Sequence, residues 1–108
     1  MSLYDRMNQT TEARDVDGYL DLLHDDYVFV RHQSGTEVSK ADWEPTMRTM
    51  MESDALVIHS NRCLYENDDI LVMHQVMGFP DGTKEAVMIV NTIKDGKIIR
   101  TETGATPL

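Results

Sequence analysis

A chain of 108 residues, 41% hydrophobic and 27% charged, reads as a single domain over residues 1–108, able to bury roughly 65% of its unfolded surface and too ordinary in mix to be disordered. Its formal net charge of −9 argues against nucleic acid as a partner, because that affinity comes from counterions released by Lys and Arg. No run approaches the ~20 apolar residues of a membrane span, and the opening MSLYDRMNQTTEARD has no apolar signal-peptide core, so a cytoplasmic protein with no membrane contact is the default expectation. Cys63 stands alone, which excludes an internal disulfide; its apolar-to-mixed surroundings assign it to packing rather than to nucleophilic chemistry.

The N-terminal third reads as helical. Leu3 and Met7 fall four apart, and Val16, Tyr19, Leu20 and Leu23 keep the spacing of a buried helical stripe. Asp15 stands where an N-cap is needed, so a tight break at Ala13-Arg14-Asp15 separates two helices. Gly18 weakens the second by ~1 kcal/mol and points to close packing against a neighbour. His24-Asp25-Asp26 closes the helices, Tyr27 to Arg31 is the first strand, and Gly35 turns the chain. Ser39 with Asp42 three residues on resembles a capping box, and Trp43, Met47, Met50 and Met51 form a second apolar stripe. Pro45 clashes with the carbonyl four residues back, which predicts a helix that starts nearer Glu44 or kinks there.

From Ala55 onward the apolar period changes from helical to alternating. Leu56 to Tyr65, Ile70 to Phe79, Lys84 to Lys94 and Lys97 to Thr103 are β-rich runs separated by ENDD, PDGT and DG, with ENDD a solvated tip and Asp95-Gly96 the strongest hairpin signal. Helix, helix, strand, helix and then an antiparallel meander make an α+β domain, helices packed on one face of a curved, mainly antiparallel sheet. Two-residue loops at Asn67-Asp68, Asp81-Gly82 and Asp95-Gly96 put Arg62, Met73, Gln75, Met77, Met88 and Thr101 on one face. His59, His74, Asn91, Arg100 and Glu102 then share the other; a loop one residue longer swaps the sets.

Both faces carry more apolar side chains than a solvated face needs, which favours helices on one and a second subunit on the other. Arg62 and Gln75 among methionines are convergent polar groups in an apolar setting, the usual form of a ligand site. Asn91 opposite Arg100 reads as a cross-strand hydrogen bond or an intersubunit ion pair. His59 and His74, diagonal neighbours ~7–8 Å apart, lack a third ligand and read as interface, so no metal and no cofactor is expected. Glycine-rich phosphate loops and Ser-His-Asp spacing are absent, leaving phosphoryl transfer and triad hydrolysis unsupported.

The element order, with DVDGYLDLLHDDYVFV and VNTIKDGKIIRTETG, resembles the nuclear transport factor 2-like superfamily, which includes ketosteroid isomerase, scytalone dehydratase and the SnoaL-like polyketide cyclases. The resemblance implies a cone-shaped α+β barrel: a strongly bent sheet wraps the helices, leaves an apolar pocket at its open end, and in many members pairs into a homodimer through its outer face. The catalytic set of ketosteroid isomerase is not retained. Its general base falls on Arg31, its oxyanion-hole tyrosine on Met7 and its protonated aspartate on or near Val90, so steroid isomerisation by that mechanism is not expected.

The stretch FVRHQSG offers another pair at the pocket mouth. Histidine changes charge near neutral pH, so His32 can act as general acid or base while Arg31 neutralises an enolate or binds a carboxylate. Adjacent strand residues face opposite sides, so only one of the two points inward. The alternative is a structural reading in which Arg31 pairs with Asp25, Asp26 or Glu37 at the rim and His32 satisfies a loop carbonyl. Trp43, Met47 and Met51 line the expected pocket from the helix, where core and pocket readings overlap; Arg62, Met73, Gln75, Met88 and Thr101 line it from the sheet, and Tyr27 assists from the strand entrance. The expected function is binding of a small apolar ligand; the alternative is a cofactor-independent isomerase, cyclase or dehydratase using His32 on an apolar carbonyl substrate.

Overall fold

A computed structural model of the chain describes residues 2–54 and 56–108; Ala55, where the period is expected to change, lies outside the described residues. Helix α1 (Leu3–Glu12) begins where Ser2 Oγ accepts the Asp5 N–H at 3.0 Å. Glu66, expected in a solvated tip, instead accepts the Leu3 N–H through Oε2 at 3.0 Å. A hydroxyl and a carboxylate thus satisfy donors that every helix start leaves orphaned, and the carboxylate sits at the positive end of the helix dipole. The break falls at Arg14, in left-handed backbone with φ 54°. Its guanidinium donates to the carbonyls of Met51 (2.9 Å) and Ser53 (2.8 Å), so the residue that ends α1 also caps the last turn of α3 (Lys40–Glu52). In α2 (Val16–Asp21) Asp15 Oδ1 accepts the Gly18 N–H at 3.0 Å. A Cβ on Gly18 would run into that carboxylate; the close neighbour of Gly18 is the cap itself.

Strand β1 (Leu23–Arg31) starts earlier than expected. It absorbs His24-Asp25-Asp26 as an irregularity between Leu23 and Val28. Across the Gly35 turn (φ 69°) it pairs with β2 (Thr36–Ser39), an edge strand of four mostly exposed residues with no apolar alternation to announce it. Helix α3 begins at Lys40 rather than near Glu44, with Ser39 Oγ accepting the Asp42 N–H at 3.3 Å. Pro45 lies inside it; Ala41, whose carbonyl loses its partner, is exposed, so the freed carbonyl is open to solvent rather than orphaned in the core.

The meander follows as β3 (Val57–Glu66), β4 (Ile70–Gly78), β5 (Lys84–Lys94) and β6 (Lys97–Pro107). The six-stranded sheet has the order β2-β1-β6-β5-β4-β3, with β1 parallel to β6 and every other pair antiparallel. Leu3, Met7, Val16, Tyr19 and Leu20 of the first helices and Trp43 and Met51 of α3 are buried against Leu23, Tyr27, Leu71, Met73 and Ile98 of the sheet. Each such side chain, fully buried, contributes about 1.5–3 kcal/mol. No described helix is long and apolar enough to cross a membrane.

Three one-residue differences separate the register from the two-residue-loop count. The β4–β5 turn is centred on Pro80-Asp81, with the Gly82 N–H donating to Phe79 O at 3.0 Å and Gly82 closing the loop at φ 85°. Proline at the second turn position and glycine in left-handed backbone at the fourth make a three-residue loop, so Gln75 faces Val87 and Met73 faces Ile89. Asp95-Gly96 does form the two-residue turn, but a bulge between Thr92 and Ile93 then brings Asn91 opposite Thr101 instead of Arg100. The β3–β4 turn sits one residue later, at Asp68-Asp69, with the Asn67 N–H donating to Ile70 O at 2.9 Å. The bulge between Cys63 and Tyr65 takes back part of that shift, so Asn61, not Ser60, faces Gln75 and Cys63, not Arg62, faces Met73, and a second bulge between Ile58 and Ser60 takes back the rest. Bulges bend the strands that carry them, and the sheet curves around the helices. Cys63, expected to be packed, is exposed because β3 is an outer strand of the sheet.

Candidate ligand cavity

Between the helices and the inner sheet face lies a cavity of about 420 Å³, within the ~300–1,000 Å³ range of small-molecule sites. Met7, Met47, Met50 and Met51 face it from the helices, Met73 and Met77 from β4, so six of the eight methionines line one space. Thioether side chains are flexible and polarisable, which suits a wall that adapts to its occupant. The rigid element is a ring pair: Phe29 of β1 stacks on Trp43 of α3 with centroids 3.9 Å apart and planes 9° from parallel.

Polar groups enter the wall at three places. At the end next to the β4–β5 loop, Arg31 Nη2 lies 2.9 Å from Glu85 Oε2 and 3.1 Å from Oε1, and also donates to Gln33 Oε1 at 2.8 Å. All three contacts use one nitrogen, leaving Nε and Nη1 without a partner among the described residues. Glu85 stands behind Arg31 and lines the adjoining hollow under the β4–β5 loop, not the cavity itself; its side chain is only 9% exposed against 35% for Arg31. At the β3 end of the same inner face Gln75 Nε2 donates to Asn61 Oδ1 at 3.2 Å, and Asn61 Nδ2 donates onward to Asn8 Oδ1 on α1. Deeper, Asn91 is fully buried: it donates to Leu71 O at 3.2 Å and accepts from Thr101 Oγ1 at 2.8 Å.

Below this last group Tyr27 is 1% exposed. Thr101 stands beside its hydroxyl but outside hydrogen-bond geometry, its own proton going to Asn91, so Tyr27 Oη has no hydrogen bond. Burial first, and the neighbouring Tyr19 second, push the Tyr27 hydroxyl far above its ordinary value; burial alone pushes Tyr19 up to about 12.

Arg31 therefore points inward and His32 outward. The side chain of His32 is 62% exposed, with Nε2 3.6 Å from Glu102 Oε1. Arg31 pairs with Glu85 rather than with Asp25, Asp26 or Glu37, while Glu37 approaches Arg100 on the outer face. Trp43, Met47, Met51, Met73, Gln75 and Thr101 stand on the cavity wall as expected. Three expected wall residues do not. Tyr27 lies beneath it in the core, and the register differences turn Arg62 and Met88 to the outer face, where both are exposed.

Val90 also faces outward, and the inward residue beside it is Asn91. His59 and His74 do not share a face: His74 is outward, whereas His59 sits in a β3 bulge at the cavity with Nε2 over Gly78. Glu85, Asn61 and Asn8 went unanticipated. The proline-led loop at Pro80-Asp81-Gly82 was a legible signal for Glu85 and Asn91, since its length alone sets the parity of β5; nothing in the sequence brings Asn8 to Asn61. Among the described residues no group of three or more His, Cys, Asp or Glu is arranged to hold a metal ion.

The fold has many solved counterparts. A nuclear transport factor 2-like protein of unknown function from Mesorhizobium loti superposes with a TM-score of 0.80 at 11% identity, covering 94% of this chain and 86% of that one. A nuclear transport factor 2-like protein of unknown function from Burkholderia xenovorans gives 0.74 at 14% identity, covering 94% and 78%, and a protein from Sphaerobacter thermophilus 0.74 at 13% identity, covering 98% and 97%. Among curated proteins the sequence finds no significant match. The model of the SnoaL-like domain matches residues 4–101; the chain has the fold of the nuclear transport factor 2-like proteins and belongs to the SnoaL-like domain family.

Proposed function

We propose that the chain binds a small, uncharged, mainly apolar molecule in the cavity between the helices and the sheet. The observation that carries this reading is the open-mouthed space of about 420 Å³ walled by methionines and a stacked ring pair. Charge decides against an anionic occupant. The Glu85 carboxylate already balances Arg31, and a second carboxylate would meet that buried negative charge; a neutral carbonyl oxygen fits the free Nε and Nη1. The test is an NMR titration with a neutral bicyclic aromatic ketone, against wild type and an Ile89→Phe variant that fills the cavity. Saturable shifts at cavity residues, abolished in the variant, support the reading; non-saturating shifts, or equal binding by the filled variant, overturn it.

A second reading, a cofactor-independent isomerase, cyclase or dehydratase, draws support from the Arg31–Glu85 pair rather than from His32. In it Arg31 polarises a substrate carbonyl, and Glu85 takes the proton from the adjacent carbon and returns it elsewhere on the same molecule. We propose in addition a homodimer through the outer sheet face, supported by half-buried Val72, Val76 and Val90 and by Met88, 42% exposed, on adjacent strands.

A further inference from the structure

We infer that the ligand carries a hydroxyl group and that Gln75 holds it, at the end of a chain of three amides in the cavity wall. This names the ligand class for the cavity site and rests on that site being a pocket for an apolar molecule. The chain is assembled from three elements: the β3–β4 register sets Asn61 beside Gln75 on the inner face, and α1 brings Asn8 within hydrogen-bond distance of Asn61, 2.6 Å.

An amide group offers two donors and an oxygen with two lone pairs, and the two bonds of this chain leave much of that capacity unused. Gln75 is 9% exposed, and its Oε1 has no partner among the described residues. Unlike Tyr27 Oη and Trp43 Nε1, it is not sealed away, and its residue lines the cavity. Turning all three amides over preserves both bonds and presents an N–H at the same place instead of a carbonyl oxygen. A hydroxyl both donates and accepts, so it satisfies Gln75 in either setting; a ligand carbonyl satisfies one setting, and a hydrocarbon neither.

The surroundings make this group a recognition element. Met73, Met77 and Val87 flank Gln75 on the inner face, where an apolar residue would carry no desolvation penalty and a polar one carries it until it is partnered. The tether through Asn61 to Asn8 fixes the position and plane of the amide before the ligand arrives, in either setting, which lowers the entropy lost on binding. None of the three amides ionises, so the preference for a hydroxyl is independent of pH.

The test is a protein-observed NMR titration with 2-naphthol and 2-methylnaphthalene, near-isosteric bicyclic molecules that exchange a hydroxyl for a methyl. Wild type should bind the naphthol about tenfold more tightly, by the same factor at pH 6 and pH 8, with the Gln75 side-chain amide resonances moving for the naphthol alone. Gln75→Leu should lose that tenfold preference while holding 2-methylnaphthalene at least as well. Equal binding of both compounds by wild type, a stationary Gln75 amide, or a preference that survives Gln75→Leu overturns the hydroxyl assignment and leaves the apolar pocket standing. Failure of both compounds to bind overturns the pocket and the assignment together.

Discussion

Removing either partner of the Arg31–Glu85 pair should not cost the same. Arg31→Met leaves a carboxylate whose side chain is 9% exposed with no cation beside it. Breaking a fully buried pair from one side costs about 3–5 kcal/mol; Arg31 is 35% exposed, so water already screens part of the interaction, and the figure falls to about 2–3 kcal/mol. Glu85→Gln instead leaves a guanidinium that keeps its 2.8 Å bond to Gln33 and its access to solvent, at a cost of about 1 kcal/mol. The double substitution removes both charges at once, and its cost should fall about 1–2 kcal/mol short of the sum of the singles. Urea unfolding of the four proteins at pH 7, compared by midpoint at matched m-values, measures all of these. Equal costs for the two singles, or a double that adds to within about 0.5 kcal/mol, would show that Glu85 is solvated rather than buried behind Arg31.

The buried tyrosines set the alkaline limit of the fold. A phenol ionises near pH ~10 in the unfolded chain, while burial pushes Tyr19 up to about 12 and Tyr27 higher still; stability is therefore complete below pH ~10 and is lost as pH rises from there through the folded values, by up to ~1.4 kcal/mol per pH unit for each phenol. Tyr19→Phe and Tyr27→Phe should each flatten that limb in denaturation profiles, Tyr27→Phe without loss at neutral pH because Oη has no hydrogen bond to give up; a limb unchanged in both variants would contradict the burial. For the outer face, light scattering should give a dimer mass for wild type and a monomer mass for Val90→Lys, and a monomeric wild type at 100-micromolar order ends the proposal.

Much of this fold is legible from local chemistry. The Asp15 cap, the Arg14 break, the α3 stripe and all four meander runs follow from periodicity and turn residues that act within a few positions of themselves. Faces are harder, because they depend on parity carried across several turns. β4 alternates Leu71, Met73, Gln75 and Met77 inward on its own evidence, yet β5 inverts once Pro80-Asp81-Gly82 makes a three-residue loop, and Met88 and Asn91 change sides. Thr101 is placed correctly only because the extra loop residue and the β5–β6 bulge cancel. At the site, the alternation rule limits FVRHQSG to one inward residue of Arg31 and His32 without saying which. The choice falls to the β1–β6 pairing, where Arg31 meets Thr103 and His32 passes to the outer side with Glu102.

The features that defeat a residue count are also those that make a cavity. Had each hairpin kept strict two-residue turns and unbroken ladders, the strands would stack as a flatter sheet, and a flatter sheet closes on three helices with no room to spare. Each β3 bulge adds a residue on the outer strand and bends it: the one between Ile58 and Ser60 sets His59 against the cavity, and the one between Cys63 and Tyr65 gives the register in which Asn61 meets Gln75. The same added residues thus curve the wall and align the amides within it. Polar side chains from β1, β5, β3 and α1 meet there at sequence separations of 54 residues for Arg31 with Glu85 and 53 for Asn8 with Asn61, beyond the reach of any local pattern. What recognises a ligand in this chain is written in register, and register is the property that a single inserted residue rewrites.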